Sequence, residues 1–393
     1  MLEPGKGRWG LTVFITFWLF AGGLSYFALP YVRSAALLMD MTGAAPGVRR
    51  WILVEPYEID TRDISVPVRS GAIPARLYRA RIKGAPAIVV FPGVHGGGID
   101  EPRMVALSRR IAGEGAAVLA VPIPELRRYQ LTTAATDSME DAIRWAAAQR
   151  DIAPTGRVGV VGVSFAGGLA LVAAGRPGVS ELVTAFFGLG AHADLPRVIR
   201  YLCLDSGAAK DLPPPHDYGV ALMLRASLPQ MVPADQVAPL DQAITMFLDA
   251  SSAATMDPAE ARRLSAEALA TEARLPEPAR SLMHGVNARN LAVLGPQLAP
   301  LAERIGGAAA LSPVRSPATR APVFLLHGDH DNVIPAPESI ALQQYLTASG
   351  NTHVQLLLTP LLSHADAKPS ASTGDLWRLI SFWKKMWRAL EPR

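Results

Sequence analysis

Short apolar segments alternate with amphipathic segments through much of the chain. Continuous apolar runs bounded by turn residues predict buried strands in APAIVVF, AAVLAVPI, RVGVVGV and LVTAFFGLGA. Between these runs, PRMVALSRRIAGEG and DSMEDAIRWAAAQR predict helices, the second with an acidic first turn, and the apolar segment SFAGGLALVAAG predicts a buried helix. Strands that are apolar throughout and alternate with helices indicate an α/β fold, with a mostly parallel sheet covered by helices on both faces.

Two strand segments are predicted before this alternation begins. WILVEPYEI has the composition of an early strand, and ISVPVRSGAIPARLYRAR is a hairpin candidate that turns at Ser70-Gly71. Together with the alternating segments, they place the first part of the α/β core at residues 51–190.

The alternation stops in residues 191–318. This stretch is rich in Ala, Leu, Pro and Arg, contains helical segments such as DPAEARRLSAEALATEARL, and shows no convincing strand. The strand pattern returns in residues 319–393 with APVFLLHG and THVQLLL, followed by a last helix whose aromatic stripe we expect to pack on the sheet. We therefore predict a core interrupted by a helical cap insertion.

An uncharged apolar segment occupies residues 9–32 near the start of the chain. A helix needs about 20 residues to cross a bilayer core, so the segment predicts an N-terminal transmembrane helix. A cleaved signal peptide and a buried core helix are the alternatives. Lys6 and Arg8 precede the segment, which favours a cytoplasmic N-terminus. We expect a single-pass membrane protein with the bulk of the chain on the extracytoplasmic side.

Composition excludes several classes of function. With one cysteine, Cys203, the chain can form no intramolecular disulfide, and a cysteine-based metal cluster is implausible. The formal net charge is +4 and the basic residues are scattered, so no nucleic-acid surface is indicated. We predict neither a metal nor an organic cofactor.

One serine, Ser164, lies at the junction between a predicted buried strand and a predicted helix in RVGVVGVSFAGGLAL. A sharp strand-to-helix turn can lift a serine above a sheet, and it requires small neighbours two residues away on either side. Gly162 and Ala166 occupy those positions. A dinucleotide-binding turn would need a first glycine pair that is missing here. A plain tight turn remains an alternative to a nucleophile.

The segment EDAIRWAAAQRDIAPTGRVGVVGVSFAGGLAL resembles the α/β-hydrolase superfamily, and within it dienelactone hydrolases and esterase-like serine hydrolases. The resemblance covers residues ~51–190 and ~319–393. It implies an α/β-hydrolase fold in which Ser164 is the nucleophile. It also implies an acid and then a histidine later in the chain. The insertion resembles no family, and Ala166 replaces the second glycine of the usual turn.

The acid is expected in the loop after a late strand. In APVFLLHGDHDNVIP, the family spacing H-G-x-x-D-x-x-x-P points to Asp331, with Asp329 as the main alternative. Asp194, at the end of an earlier core strand, is a further candidate, although a position at the hinge of the insertion explains it better. The base is expected after the next strand, where THVQLLLTPLLSHADAK offers His364.

Two backbone N–H groups are expected to bind the oxyanion. One belongs to Phe165, the residue after the nucleophile, and the other comes from the loop PGVHGGGID. If Pro92-Gly93 stands where the family has His-Gly, Val94 is the donor. If the loop is instead a lipase-type H-G-G-G element, Gly96 or Gly97 donates. We prefer Val94 because the predicted strand ends at Phe91.

These residues predict a membrane-anchored serine hydrolase that cleaves small-molecule carboxylic esters through an acyl-enzyme. Ser164, Asp331 and His364 form the triad, and the apolar insertion suggests an apolar acyl or alcohol group. A peptidase or thioesterase could use the same triad. A catalytically inactive hydrolase fold acting as a binding protein is the alternative outside the enzymes. The oligomeric state is not predicted.

Overall fold

The computed structural model describes residues 57–204, 211–216, 218–254, 256–362 and 372–390. One eight-stranded sheet organises them, with the order β1-β2-β4-β3-β5-β6-β7-β8. Strand β2 runs in the direction opposite to the other seven strands. The strands are β1 (Ile59–Val68), β2 (Gly71–Ala80), β3 (Ala87–Phe91), β4 (Ala117–Ala120), β5 (Val158–Val163), β6 (Val183–Leu189), β7 (Val323–Gly328) and β8 (Val354–Thr359).

The predicted hairpin is present as β1 and β2, which pair from Ile59 opposite Ala80 to Val68 opposite Gly71. Gly71 has a φ of 133°, a conformation that favours glycine over residues with a Cβ. Of the predicted early strand WILVEPYEI, residues 51–56 lie outside the described part of the chain, and the last residue, Ile59, begins β1.

Thirteen α-helices are described. They are α1 (Pro102–Gly113), α2 (Pro124–Arg127), α3 (Thr133–Ala148), α4 (Phe165–Gly175), α5 (Leu195–Leu202), α6 (Tyr218–Met231), α7 (Ala234–Ala253), α8 (Pro258–Glu272), α9 (Ala279–Asn287), α10 (Leu291–Leu298), α11 (Ala302–Gly306), α12 (Pro337–Ala348) and α13 (Thr373–Leu390). Helices α5 to α11 all fall within the predicted insertion.

Helices cover both faces of the sheet. Alternate residues of β3 belong to two different apolar clusters: Val89 packs with residues of α3, α4 and α12, whereas Val90 packs with residues of α1 and α13. Because both faces are buried, the central strands carry apolar residues at every position rather than at every second one. This burial explains the continuous apolar runs in the sequence.

Helix α13 lies on the sheet, as its aromatic stripe predicts. The Trp383 side chain is buried, and its ring centroid lies 4.8 Å from that of Phe187 on β6. Trp377 at the start of the stripe does not share this packing, since 58% of its surface is exposed.

Helix α3 begins at Thr133, four residues before the predicted start at Asp137. The acidic residues that suggested a first helical turn form ion pairs instead. Arg176 contacts Asp137 and Glu140 at 2.6 Å each, and Arg69 of the β1–β2 turn contacts Asp141 at 2.8 Å. The acidic cluster therefore joins α3 to the hairpin and to the end of α4.

The predicted transmembrane segment, residues 9–32, lies outside the described part of the chain. Within the described residues, no helix combines the length and the apolar character needed to span a bilayer.

Candidate active site

Ser164 occupies the turn between β5 and α4. Its φ and ψ are 58° and −133°, which is a strained combination for a residue with a side chain. The Ser164 N–H donates to the Leu189 carbonyl at the end of β6, at 2.7 Å. The backbone thus holds this serine at the carboxyl edge of the parallel strands, where open α/β sheets bind ligands.

Small residues make this sharp turn possible. A Cβ added to Gly162 would lie 2.7 Å from the Gly167 Cα and 2.8 Å from the Ala166 carbonyl oxygen. A Cβ on Gly167 would lie 2.8 Å from the Ala191 Cβ. The end of β5 therefore passes so close to α4 that residue 162 has no room for a side chain, whereas the Ala166 methyl group is accommodated.

Phe165 is the first residue of α4. The first N–H groups of a helix have no intrahelical acceptor, so the N–H of this residue is not used by the helix. The Phe165 side chain is fully buried, and its ring centroid lies 5.8 Å from that of His192. His192 is buried too, and burial lowers its pKa.

The loop after β3 runs directly over the serine. A Cβ on Gly93 would lie 3.1 Å from the Ser164 Cβ, and the next residue, Val94, is buried. The Gly96 N–H donates to Ser252 Oγ at 3.4 Å, and the Gly97 N–H donates to His95 Nδ1 at 3.1 Å. The donors of the H-G-G-G register thus have acceptors within the protein.

His95 is part of this turn rather than a free base. Its Nδ1 accepts from Gly97, so the neutral ring carries its proton on Nε2. Burial lowers the pKa of His95, which favours this neutral form.

Asp331 lies in the loop after β7 and is 1% exposed. Its Oδ1 accepts from the N–H groups of Val333 and Ile334, each at 2.9 Å. A Cβ on Gly190, the residue after Leu189, would lie 3.3 Å from its Oδ2. Leu189 therefore bonds to the Ser164 turn, and the next residue, Gly190, lies beside Asp331.

Asp329, the alternative acid, is exposed, and its backbone N–H donates to the Thr359 carbonyl at 3.2 Å. The buried and hydrogen-bonded Asp331 is therefore the better placed of the two carboxylates.

His327 supports Asp331 from the end of β7, a role that the sequence reasoning did not assign. Its Nε2 donates to the Ile334 carbonyl at 2.8 Å and lies 3.4 Å from Asp331 Oδ2. Its Nδ1 lies 2.6 Å from Ser339 Oγ. The only signal in the sequence was the His-Gly pair that precedes the acid loop.

Asp194 is engaged as a helix cap. It accepts from the Arg197 N–H at the start of α5, and its Oδ2 pairs with Arg315 at 3.0 Å. The buried Glu338 carboxylate accepts from the N–H of Asp194 at 3.0 Å. These contacts account for Asp194 at the junction of core and insertion.

The predicted base, His364, lies outside the described residues and stays a prediction. The structure thus brings Ser164, Phe165, Val94 and Asp331 to one edge of the sheet. In the part of the chain that the structure covers, no three His, Cys, Asp or Glu side chains are placed to hold a metal ion together.

The insertion contacts the loops on both sides of this edge. The His216 N–H donates to the carbonyl of Asn332, next to Asp331, at 2.7 Å. On the other side, Ser252 of α7 contacts Gly96, and a Cβ on Gly97 would lie 2.8 Å from Met256 Sδ. Tyr129, which no sequence pattern singled out, joins this second contact through hydrogen bonds to Asp249 and Ser252.

A cavity of about 430 Å³ lies at the opposite edge, where the parallel strands begin. Thr155, Arg157, Thr184 and His353 are among its lining residues. Among the described residues of the predicted site, none lines this cavity, and we assign it no role in the chemistry.

Comparison with known proteins gives a match over part of the chain. Residues 302–389 match the prolyl oligopeptidase family. No curated protein matches the sequence.

Several solved structures are similar to the chain at low identity. An esterase from Pyrobaculum calidifontis is 16% identical, with 93% of each chain covered and a TM-score of 0.46. An acylaminoacyl peptidase from Pyrococcus horikoshii is 12% identical, with 87% of this chain and 42% of that one covered and a TM-score of 0.45. A dienelactone hydrolase from Anabaena variabilis is 17% identical, with 84% and 98% covered and a TM-score of 0.43.

The order and direction of the strands identify the fold. Eight strands in the order β1-β2-β4-β3-β5-β6-β7-β8, with β2 alone antiparallel, form the central sheet of the α/β-hydrolase fold. A serine turn after β5 and an acidic loop after β7 stand where that fold carries its chemistry. The resemblance predicted from the sequence is confirmed at the level of the fold, and the chain has the α/β-hydrolase fold.

Proposed function

We propose that the chain is a serine hydrolase that cleaves carboxylic esters through an acyl-enzyme. The observation that carries this proposal is the backbone of Ser164, which is held at a φ of 58° directly beneath the loop after β3. A strained conformation persists only where the surrounding structure enforces it, and such positions are concentrated at active sites.

In the proposed reaction, Ser164 Oγ attacks the ester carbonyl carbon while His364 takes the hydroxyl proton. The carbonyl oxygen becomes an oxyanion, and the N–H groups of Phe165 and Val94 stabilise its charge. His364 then gives the proton to the departing alcohol, which leaves the acyl group on Ser164. Water attacks the acyl-enzyme by the same two steps, releasing the acid.

Asp331 would orient His364 and stabilise its protonated form. The two N–H groups on Oδ1 support this role because they stabilise the ionised carboxylate and fix its plane. Val94 is the preferred second donor because the Gly96 and Gly97 N–H groups already donate within the protein.

The substrate class and the location are parts of the same proposal. The insertion contacts the loops after β3 and β7, and this contact supports the proposal that its apolar residues select an apolar acyl or alcohol group. The apolar segment 9–32 would anchor the enzyme to a membrane, with the catalytic domain on the extracytoplasmic side.

Peptide hydrolysis is the second candidate, because residues 302–389 match the prolyl oligopeptidase family. Ester and amide cleavage use the same nucleophile, base and oxyanion donors. Parallel assays with p-nitrophenyl esters of increasing acyl length and with aminoacyl p-nitroanilides separate the two. Faster turnover of the anilides at matched concentration would favour the peptidase.

Labelling with a fluorophosphonate probe tests the nucleophile. We expect one adduct, on the tryptic peptide that contains Ser164, and its loss in Ser164→Ala together with at least about a hundredfold loss of ester turnover. Ser265→Ala, a change at an exposed serine on α8, is the matched control and keeps both signals. Labelling that survives in Ser164→Ala contradicts the assignment. A folded wild-type protein with neither labelling nor turnover favours the binding-protein alternative.

A further inference from the structure

Four groups from three parts of the chain form a continuous hydrogen-bonded chain beside the loop after β3. The Gly96 N–H lies 3.4 Å from Ser252 Oγ, Ser252 Oγ lies 2.8 Å from Tyr129 Oη, and Tyr129 Oη lies 2.7 Å from Asp249 Oδ1. Ser252 and Asp249 lie on α7 of the insertion, whereas Tyr129 follows α2 in the core.

The direction of this chain follows from the chemistry of its two ends. A backbone N–H can only donate, so Ser252 Oγ accepts from Gly96. An ionised carboxylate can only accept, so the Tyr129 hydroxyl donates to Asp249. The serine proton then points to the tyrosine oxygen. Each bond polarises the next one, which strengthens the hold on Gly96.

Both backbone polar groups of Gly96 form hydrogen bonds. Its N–H meets Ser252, and its carbonyl accepts from Arg127 Nε at 3.2 Å. The Tyr129 hydroxyl also fills the space beside this glycine, because a Cβ there would lie 2.6 Å from Tyr129 Oη. Val94 is only two residues away, so the position of its N–H depends on how firmly Gly96 is held.

Tyr129 itself is held in an uncommon conformation. Its φ is 57° although it is neither glycine nor asparagine, and its side chain is 4% exposed. Burial raises the pKa of its hydroxyl, which keeps the proton available for Asp249. Such a backbone conformation costs free energy in a residue with a side chain, so the contacts of this side chain must offset it.

We propose that Tyr129 is a positioning residue of the oxyanion site: through Ser252 and Asp249 it fixes Gly96, and through Gly96 it fixes the Val94 N–H toward the substrate. This inference rests on the proposed serine-hydrolase function. It makes α7 of the insertion part of the catalytic geometry, in addition to any role in substrate selection.

Steady-state kinetics of Tyr129→Phe in the full chain test this proposal. The variant keeps the aromatic ring and removes only the hydroxyl group, which interrupts the series of hydrogen bonds from Gly96 to Asp249 at its centre. An oxyanion donor acts on charge that develops in the transition state, so its displacement lowers kcat and leaves KM nearly unchanged. We expect kcat on a p-nitrophenyl ester to fall about tenfold and KM to change less than about twofold.

Tyr345→Phe is the matched control. The Tyr345 hydroxyl also donates to a carbonyl, that of Ser316, but it lies on α12 away from the loop after β3. We expect its kcat and KM to stay within about twofold of wild type. An equal kcat loss in both variants would show a general effect of losing a hydrogen-bonded tyrosine hydroxyl and would overturn the proposal.

Ser252→Ala provides a second variant if Tyr129→Phe does not fold. It should lower kcat in the same way, and the double variant should be no slower than the slower single one, because both changes break one chain. Losses that multiply, a rise in KM with kcat retained, or unchanged kinetics would each overturn the positioning role. A wild-type protein without ester turnover would overturn the proposed function and this inference together, whereas an active wild type with an unaffected Tyr129→Phe overturns only the inference.

Discussion

Replacement of Ser164 by glycine should separate the cost of the strained turn from the loss of the nucleophile. Ser164 has φ 58° and ψ −133°, a region that glycine enters readily and other residues do not. Ser164→Ala removes the hydroxyl and keeps the strain, whereas Ser164→Gly removes both. The comparison between these two inactive variants therefore isolates the backbone term.

The expected difference in the free energy of unfolding follows from three contributions. Relief of the strained backbone stabilises the glycine variant by about 1–3 kcal/mol. The greater entropy of an unfolded glycine costs about 0.5–1 kcal/mol, and the loss of one buried methyl group costs about 0.8 kcal/mol. These contributions sum to a range from about 0.8 kcal/mol less stable to about 1.7 kcal/mol more stable than Ser164→Ala, and at the midpoint Ser164→Gly is the more stable by about 0.5 kcal/mol.

Ala170→Gly supplies the reference for an unstrained position. Ala170 is fully buried in the interior of α4, where glycine relieves no strain and costs about 1–2 kcal/mol. Urea unfolding followed by circular dichroism measures all three variants. If Ser164→Gly were less stable than Ser164→Ala by as much as Ala170→Gly is less stable than wild type, the turn would store no strain and the reasoning would fail.

Two further predictions concern the acid and the membrane segment. Asp331→Asn should lower kcat by about 10³-fold or more, because the amide places a donor where His364 needs an acceptor. Asp329→Asn, at an exposed position, should keep kcat within about twofold of wild type. Equal losses of kcat in the two variants would show that the acid is misassigned. The full-length protein should sediment with membranes and require detergent for release, whereas deletion of residues 1–46 should give soluble, active enzyme. Intact full-length protein in the soluble fraction would contradict the membrane anchor. A shortened mature protein would indicate a cleaved signal peptide.

The parallel core was predictable because burial on both faces of the sheet determines the residue types of short, consecutive segments. A strand such as β5, with every residue buried, has to be apolar at each position, and Gly162 has to be glycine because α4 leaves no room for a Cβ. The family spacing pointed to Asp331, whose carboxylate accepts from the N–H groups two and three residues later, and its role as the acid stays a prediction. Each of these features is confined to a few consecutive residues.

Contacts between distant segments produced no pattern in the local sequence. The acidic residues at the start of DSMEDAIRW suggested a helix start, yet Asp141 pairs with Arg69, 72 residues away. Tyr129 lies 120 residues from Asp249, and no local pattern connects them. A side chain that meets its partner across the fold can be any residue of suitable length and polarity, so only the tertiary structure reveals the pair.

The same distinction bears on how the insertion is understood. Its composition alone suggested a cover that selects apolar substrates. Its hydrogen bonds to the loops after β3 and β7 go instead to backbone groups: His216 donates to the carbonyl beside Asp331, and Ser252 accepts the N–H of Gly96. If the proposed function is correct, these backbone contacts restrict where the proposed acid, Asp331, and the proposed oxyanion donor, Val94, can lie, whatever substrate is bound. A change in the insertion that leaves its apolar residues intact but breaks these two contacts should therefore reduce kcat for short and long acyl chains alike, whereas a pure selection filter would alter only their ratio.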